Sequence, residues 1–406
     1  MEGLDILPEF RVSLDRANPV WLMNISHMLI EVYLFIHISL MPIFIKNFSL
    51  SIFEVSVIVT GPRIFSLITS LVSGALIDRV GAKPLLISGM FSQALGGILV
   101  YISRDVLSLF LGITFINIAS PLYHNSGLST ISRFLDGKKL NDMLGIHNAL
   151  GSLGSATGLF LLPIILMFGD WRLAYLIWIP PILVWTFLLM RVKNIDSRID
   201  RRKPDFSMNL IFTRDFIKFL LALSLSFAAS TTLTTYITSY LVFEKKLSEA
   251  ISSLIFAVGP VLGIFSSIFS GKLSGLFGEK RFLLTIMLLS GLSIVLMPFS
   301  SSTIMLAALY VTFSFLNSAI WPPISAMTAC LTPASFRGTG YSLTTSVYQL
   351  LFAITPPLVA KVIELYSLEV IFPISFILML ACTVVLKFVT ASSPDSSHGH
   401  PASPSC

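Results

Sequence analysis

The sequence is poor in charge. Only 12% of its 406 residues are charged, whereas 54% are hydrophobic and the mean hydropathy is +0.85. Soluble domains carry roughly 25% charged residues, so this chain has too little charge to cover a surface that faces water. The composition therefore excludes an ordinary soluble protein and indicates that lipid is the main solvent of the chain.

Other absences narrow the function further. The three cysteines, Cys330, Cys382 and Cys406, are isolated, so we expect neither a disulfide framework nor a metal site. The sequence has no phosphate-binding glycine loop and no nucleophile triad, so we expect no cofactor, no enzymatic activity and no ATP-driven transport by this chain alone. The first 18 residues carry acids and lack an apolar core, so we expect the first span, and not a cleaved leader, to insert the chain.

What the sequence does contain is a series of long, continuous apolar runs. A transmembrane helix needs about 20 apolar residues, and this pattern predicts an all-α membrane protein with twelve spans. The runs cover approximately residues 19–45, 52–77, 84–102, 107–132, 143–168, 171–190, 216–243, 249–274, 281–300, 303–330, 338–361 and 367–389.

The lysines and arginines are distributed unevenly between the loops. With the N-terminus inside, most of the 27 basic residues fall in cytoplasmic segments, as is typical of membrane proteins. This asymmetry requires an even number of spans. It predicts a multi-pass protein of the cell membrane with both termini in the cytoplasm, and it explains the net charge of +6 without a nucleic-acid partner.

A repeated motif divides the chain into two halves. Residues 74–81 and residues 271–278 both read G-x-L-x-x-x-x-G, after the second and the eighth run respectively. Two parallel six-helix repeats are a known transporter design. We therefore predict an N-terminal six-helix bundle, a cytoplasmic linker, a C-terminal six-helix bundle and a disordered tail, over residues 1–190, 191–215, 216–390 and 391–406.

These motifs resemble those of the major facilitator superfamily. The family's loop signature, roughly G-x-L-a-D-r-x-G-r-k, is matched here except at Ala82, by Gly74, Leu76, Asp78, Arg79, Gly81 and Lys83. Further agreement comes from the stretches LYHNSGLSTISRF and GIHNALGSLGSATGLFLLP, from Asp170-Trp171-Arg172, and from Phe336-Arg337-Gly338-Thr339-Gly340. Gly151, Gly154 and Gly158 form a small-residue face that is similar to the family's antiporter motif.

The resemblance implies the major facilitator fold and alternating access. Within the superfamily, HMLIEVYLFIHISLMPIF and LYHNSG are most similar to the branch that contains fosmidomycin-resistance exporters. Five residues near the cytoplasmic ends of spans are the expected gating residues: Asp78, Arg79, Lys83, Arg133 and Arg337. In this fold the eleventh span starts near Asp78, and an acid beside that helix N-terminus would gain about 0.3–1 kcal/mol. The alternative is that these charges only set the topology.

The buried ionisable residues predict the coupling site. A charged side chain at the bilayer centre costs at least ~2.5–3.5 kcal/mol, so it usually has a role or a partner. Glu31 lies near mid-depth in the first span, with His27 one helical turn earlier, while Arg63 and His124 lie in the second and fourth spans. We predict that these four residues couple transport to protons. The alternative is a static ion pair between Glu31 and Arg63. Glu54 is a competing partner for Arg63.

The second half has no charge deep in a span, and its polar and aromatic residues predict the substrate site. Two asparagines of the fourth span are added to these candidates. The full set is Asn117, Asn125, Tyr236, Asn317, Trp321, Tyr348 and Gln349. Threonines of the seventh span, and also His37 and His147, are assigned structural roles. Aromatic surfaces with few hydrogen-bonding groups suit a neutral or amphiphilic ligand, whereas a strongly anionic ligand would require more than Arg63.

The sequence therefore predicts a monomeric secondary transporter, coupled to protons, that moves a small neutral or amphiphilic organic solute across the lipid bilayer. Export is favoured by the branch resemblance alone. Two alternatives stay open within transport, namely an uncoupled facilitator and a proton symporter for a small metabolite. An alternative of another class is a membrane sensor that does not transport.

Overall fold

The computed structural model describes residues 18–135, 137–192, 195, 212–332 and 337–390, and these residues form helices, turns and short connections, with no strand among them. Seventeen helices of four residues or more are present in this part of the chain. They are α1 Pro19–Glu31, α2 Ile36–Ser39, α3 Met41–Phe48, α4 Ile52–Thr60, α5 Arg63–Val80, α6 Ala82–Ile102, α7 Val106–Phe134, α8 Gly137–Met167, α9 Leu173–Leu176, α10 Ile179–Arg191, α11 Arg214–Phe243, α12 Glu249–Phe277, α13 Glu279–Leu296, α14 Thr303–Ser318, α15 Trp321–Leu331, α16 Arg337–Leu365 and α17 Ile371–Lys387.

Within the described residues these helices build twelve segments that are long and apolar enough to cross a membrane. Several spans consist of two helices in series; the first combines α1 and α2, and the second begins in α4 and continues into α5. The prediction of an all-α protein with twelve transmembrane helices is confirmed.

The spans begin at polar caps that the sequence places in the loops. Asn18, Asp105, Thr213, Ser248 and Ser302 each accept a hydrogen bond from a backbone N–H in the first turn of the helix that follows. Ser51 and Glu54 form a reciprocal capping box at the start of α4. Such caps satisfy N–H groups that have no partner within the helix. The Glu54 carboxylate therefore caps the N-terminus of its own helix, α4.

The repeated loop motif folds in the same way in both copies. Its last glycines, Gly81 and Gly278, have φ angles of 94° and 84°, a region that residues with a Cβ rarely adopt. Each glycine ends one helix and begins the next within a single residue. A tight turn between two helices is therefore present in both copies of the motif.

Contacts group the chain into two compact units. The first contains residues 1–37 and 62–203, and the second contains residues 38–61 and 204–406. Residues 38–61 thus belong by contact to the C-terminal helices, although they precede the predicted linker. The hydroxyl of Thr60 donates to the Ala353 carbonyl at 3.5 Å, and the Phe53 N–H donates to Glu364 Oε1 at 3.0 Å. The predicted bundle boundaries stay a prediction.

Candidate functional site

The first span is interrupted directly after Glu31. Helix α1 ends at this residue, and α2 does not begin until Ile36. Between them the backbone makes tighter turns, in which the Leu34 N–H donates to the Glu31 carbonyl at 3.0 Å and the Ile36 N–H donates to the Tyr33 carbonyl at 3.2 Å. Tight turns inside a helix often mark a functional hinge.

The second span is interrupted at a matching place. Helix α4 ends at Thr60, residues 61–62 form a turn, and α5 begins at Arg63. Pro62 supplies no N–H, and a proline inside a helix breaks its hydrogen-bond ladder. Non-helical backbone within a membrane protein is tolerated only inside protein or beside a cavity. Both predicted charges of the coupling site, Glu31 and Arg63, therefore lie at helix interruptions.

The carboxyl group of Glu31 is buried, with 7% of the residue exposed, and its closest ionisable partner is His124. Nε2 of His124 lies 2.8 Å from Oε1 of Glu31, and Nε2 of His27 lies 3.8 Å from the same oxygen. Side chains of three helices therefore surround this carboxyl group, since Arg63 of α5 also acts on it electrostatically. The pairing of Glu31 with His124 was not among the sequence predictions.

His147, predicted to be structural, supports the other two histidines. Nδ1 of His27 donates to the His147 carbonyl at 2.8 Å, and Nδ1 of His147 donates to Oδ1 of Asn24 at 3.0 Å. The His27 and His147 rings stack with centroids 4.0 Å apart. These bonds leave Nε2 of His27 directed at the group formed by Glu31 and His124. Nothing in the sequence indicated this stacking.

A metal ion is the alternative occupant of three neighbouring histidines. Among the described residues, ligand nitrogens of His27, His124 and His147 lie within 4.8 Å of one another. The rings of His27 and His147 are nearly parallel, at 20°. Nδ1 of His27 and Nδ1 of His147 are already engaged, with the His147 carbonyl and with Asn24, so a metal ion would have to bind these two rings through Nε2.

Close packing of α8 on α1 depends on the predicted glycine face. A Cβ atom at Gly151 would overlap the His27 ring, and Cβ atoms at Gly154 and Gly158 would overlap the main-chain carbonyls of Met28 and Val32. The glycines therefore allow the two backbones to approach closely, as small residues do in membrane helix pairs. This contact fixes the position of His27.

A small cavity opens beside Glu31 inside the first unit. Its free space is only about 10 Å³, which is room for roughly one water molecule. Its polar lining consists of Glu31, His37, Arg63, Asn117 and Ser120. Arg63 and Asn117 are 4% and 5% exposed, so the two predicted residues lie in the protein interior, as expected. His37, predicted to pack, is also part of this lining.

The two asparagines of the fourth span differ in their contacts. Nδ2 of Asn117 donates to the Ile113 carbonyl at 2.9 Å on its own helix, and the residue lines the cavity. Nδ2 of Asn125 donates to Ser73 Oγ at 2.5 Å and to the Ser70 carbonyl at 3.1 Å. Asn125 thus ties α7 to α5.

In the second unit, aromatic rings from three helices form a cluster of Phe227, Trp321, Tyr348 and Phe352. Trp321 stacks on Phe227 at 5.6 Å between centroids and meets Tyr348 edge-on at 5.4 Å. Tyr348 contacts Phe227 at 5.1 Å and Phe352 at 5.8 Å. Trp321 is 39% exposed. The sequence identified Trp321 and Tyr348; the spacing of four residues from Tyr348 could have indicated Phe352, but nothing indicated Phe227.

Other substrate candidates of the second unit lie in different surroundings. Oδ1 of Asn317 accepts a bond from the Ser230 hydroxyl at 2.7 Å. Tyr236 is fully buried, and its hydroxyl donates to the Pro356 carbonyl at 2.5 Å. Gln349 is partly exposed. Thr232 and Thr234 donate to carbonyls four residues earlier, as expected of structural threonines.

The predicted gating residues are described only in part. Lys83 donates to the Met190 and Val192 carbonyls at 2.9 and 2.5 Å, so it holds the end of α10. Arg79 is exposed. The remaining side chains, those of Asp78, Arg133 and Arg337, lie outside the described part of the structure.

Comparison with known proteins identifies the fold. The family model of the Major Facilitator Superfamily matches the chain over two overlapping stretches, residues 23–275 and 219–404. The chain is similar to the crystal structure of a Major Facilitator Superfamily transporter, FucP, in the outward conformation, with a TM-score of 0.65 and 16% sequence identity over 93% of this chain and 100% of that one. No curated protein sequence matches the chain.

Proposed function

We infer the function from one premise: the chain belongs to the Major Facilitator Superfamily, whose fold is that of secondary transporters working by alternating access. This membership confirms the superfamily resemblance, and it makes the chain a multi-pass membrane protein with a small-molecule substrate. We propose that transport is coupled to protons and that the solute is small, organic and neutral or amphiphilic. Export is favoured by the motif resemblance to the branch of fosmidomycin-resistance exporters.

One observation carries the coupling proposal: a buried carboxyl group hydrogen-bonded to a histidine. The 2.8 Å bond between Glu31 Oε1 and His124 Nε2 can persist with the proton on either atom. Imidazole is the side chain that changes its charge near neutral pH. In a buried site an uncompensated charge costs free energy, so such a change favours a rearrangement that compensates it. Loading or releasing one proton therefore alters the charge of a site that four spans share.

The position of this pair links protonation to movement. Glu31 ends α1, and Arg63 begins α5, so both charged groups lie beside interruptions of their spans. The two compact units divide the chain near the same points, between residues 37 and 38 and between residues 61 and 62. Hinges are commonly a few residues at element ends. A change of charge there acts on the hinge residues directly.

The aromatic cluster supports an amphiphilic solute. Flat rings supply apolar contact area with few hydrogen-bonding groups, and partial exposure leaves Trp321 accessible. The cluster by itself therefore favours a solute with an apolar part.

Transport by Glu31→Gln, reconstituted in liposomes, tests the proposal. A solute is first selected by thermal shift of the purified full-length protein at a mildly acidic and a mildly alkaline pH. The variant should exchange this solute but should not accumulate it in response to a pH gradient. Glu369→Gln, at an exposed carboxyl, is the matched control and should behave like the wild type. Unchanged gradient-driven transport by Glu31→Gln would refute proton coupling through this residue.

A further inference from the structure

Gln93, in the middle of the third span, is bonded to the main chain where the first span is interrupted. Its Nε2 donates to the Ile30 carbonyl at 2.7 Å. In a continuous α-helix this carbonyl would accept a bond from the Leu34 N–H, but the Leu34 N–H donates to the Glu31 carbonyl instead. The amide of Gln93 thus replaces the hydrogen bond that the interruption takes away from Ile30.

Only the NH₂ end of this amide has a partner among the described residues. The Gln93 side chain is fully buried, and its Oε1 makes no hydrogen bond there. A carbonyl can only accept, so the amide must direct its NH₂ group at Ile30. A buried amide with one end unpaired is less favourable than an apolar side chain of the same shape. Packing alone therefore does not account for a glutamine at this position, whereas the bond to Ile30 does.

The same face of α6 also contacts the far side of the interruption. Gly97 follows Gln93 by one helical turn, and a Cβ atom at Gly97 would overlap the Tyr33 hydroxyl group. This hydroxyl donates to the Tyr175 carbonyl at 2.7 Å. Contacts to Ile30 and to Tyr33 therefore hold the interrupted backbone against the third span.

The Ile30 carbonyl belongs to the peptide unit that contains the Glu31 nitrogen. Because a peptide unit is planar, fixing this carbonyl restricts the direction in which the Glu31 side chain leaves the backbone. A backbone shift of about one ångström would lengthen the 2.8 Å contact between Glu31 and His124 beyond hydrogen-bond range. The ionisable side chains that act on Glu31 are His27 of its own helix, Tyr123 and His124 of α7, and Arg63 of α5.

We propose that Gln93 is a positioning residue for proton coupling: its amide holds the first span in the interrupted form that directs the Glu31 carboxyl group at His124. The inference rests on the proposed coupling through Glu31 and extends it to an uncharged residue of the third span. Gln93 acts through the backbone of Ile30, so its loss should uncouple transport from protons without removing a titratable group.

Gln93→Met tests the assignment, because methionine has the unbranched shape of glutamine but cannot donate a hydrogen bond. Ser92→Ala is the matched control. The Ser92 hydroxyl, on the same helix, donates to the Phe115 carbonyl at 2.7 Å, so each variant loses one bond to the main chain of another span. With the solute selected by thermal shift, Gln93→Met in liposomes should lose about fivefold to tenfold of pH-gradient-driven accumulation and keep solute exchange. Ser92→Ala should keep both.

Hydrogen exchange of residues 30–36 in the purified full-length protein gives a readout that does not depend on transport. Gln93→Met should change the exchange of this segment, making it faster if the turn opens and slower if the Leu34 N–H returns to the Ile30 carbonyl. Ser92→Ala should not change it. Unchanged exchange in folded Gln93→Met, or gradient-driven accumulation equal to that of Ser92→Ala, overturns the proposal. Gln93→Leu, which also lacks a donor, replaces Gln93→Met if that variant does not fold.

A double variant of Gln93→Met and Glu31→Gln separates positioning from a general loss of function. If Gln93 acts through Glu31, the double variant should exchange the solute as fast as Glu31→Gln alone, and slower exchange would contradict the proposal. If Glu31→Gln keeps gradient-driven transport, the coupling proposal itself fails. If Glu31→Gln loses it and Gln93→Met does not, only the assignment of Gln93 fails.

Discussion

Nε2 of His124 lies 2.8 Å from Oε1 of Glu31 and joins the fourth span to the first through one hydrogen bond. A glutamine at position 124 can still donate this bond, but it cannot take up a proton. We expect His124→Gln to remain folded and to show a flatter dependence of transport on pH than the wild type. Initial rates across a series of pH values, with the melting temperature as a check on folding, measure this effect. A pH profile equal to that of the wild type would show that His124 takes no part in coupling.

Because α8 packs closely against α1, a methyl group added at their contact should lower the stability of the protein, whereas one added elsewhere on α8 should not. Gly154→Ala places a Cβ atom against the Met28 carbonyl, so the two backbones must separate. Overpacking of this kind typically costs 1–3 kcal/mol, and we expect a lower melting temperature in detergent. Gly145→Ala is the matched control on the same helix, because nothing lies within 4 Å of its Cβ position. Equal melting temperatures for the two variants would argue against close packing at Gly154.

An ion pair in the second unit joins Lys46, at the end of α3, to Glu249, at the start of α12. Both side chains are partly exposed, so we expect a coupling free energy of only about 0.2–1 kcal/mol, and less at high salt. A double-mutant cycle with the neutral variants Lys46→Met and Glu249→Gln measures this coupling. A charge-swapped variant, Lys46→Glu with Glu249→Lys, should retain it. A coupling of zero at low salt would mean that the pair contributes nothing.

Trp321 is the predicted substrate residue with the clearest aromatic surroundings. Trp321→Ala removes one ring from the cluster, and ring pairs contribute about 0.5–1.5 kcal/mol beyond their buried area. We expect weaker binding of aromatic solutes with a small change in melting temperature, because the residue is 39% exposed. Trp21→Ala, at a residue that is 48% exposed and outside the cluster, should leave binding unchanged. Equal loss of affinity in both variants would assign the effect to general destabilisation.

Features that depend on local sequence were predictable. Hydropathy found the twelve spans, the repeated motif located the two glycine turns, and the spacing of His27 and Glu31 placed them on one helix face. The glycines at positions 151, 154 and 158 indicated close helix packing, which the structure shows against α1.

Features that depend on how spans meet were not predictable from one sequence. Buried charge in the first two spans suggested Arg63 as a partner of Glu31, but packing decides which helix faces which residue, and it places His124 at 2.8 Å from the Glu31 carboxyl group. The position of His37 in the cavity lining was unpredictable for the same reason. The interruption after α1 changes which side of the first span the residues of α2 occupy. A periodicity of 3.6 residues cannot be extended across a helix that changes its winding.

The assignment of residues 38–61 to the second unit has a consequence for biosynthesis. This segment leaves the ribosome well before α11 and α16, against which it packs: Thr238 donates to the Ile38 carbonyl at 3.4 Å, and Thr60 donates to the Ala353 carbonyl. Parts of the first two spans must therefore wait in the bilayer, or beside a chaperone, until these later helices have been synthesised. Half-molecules cut at the linker would accordingly lack native partners, and co-expressed fragments could regain them only by assembling with each other.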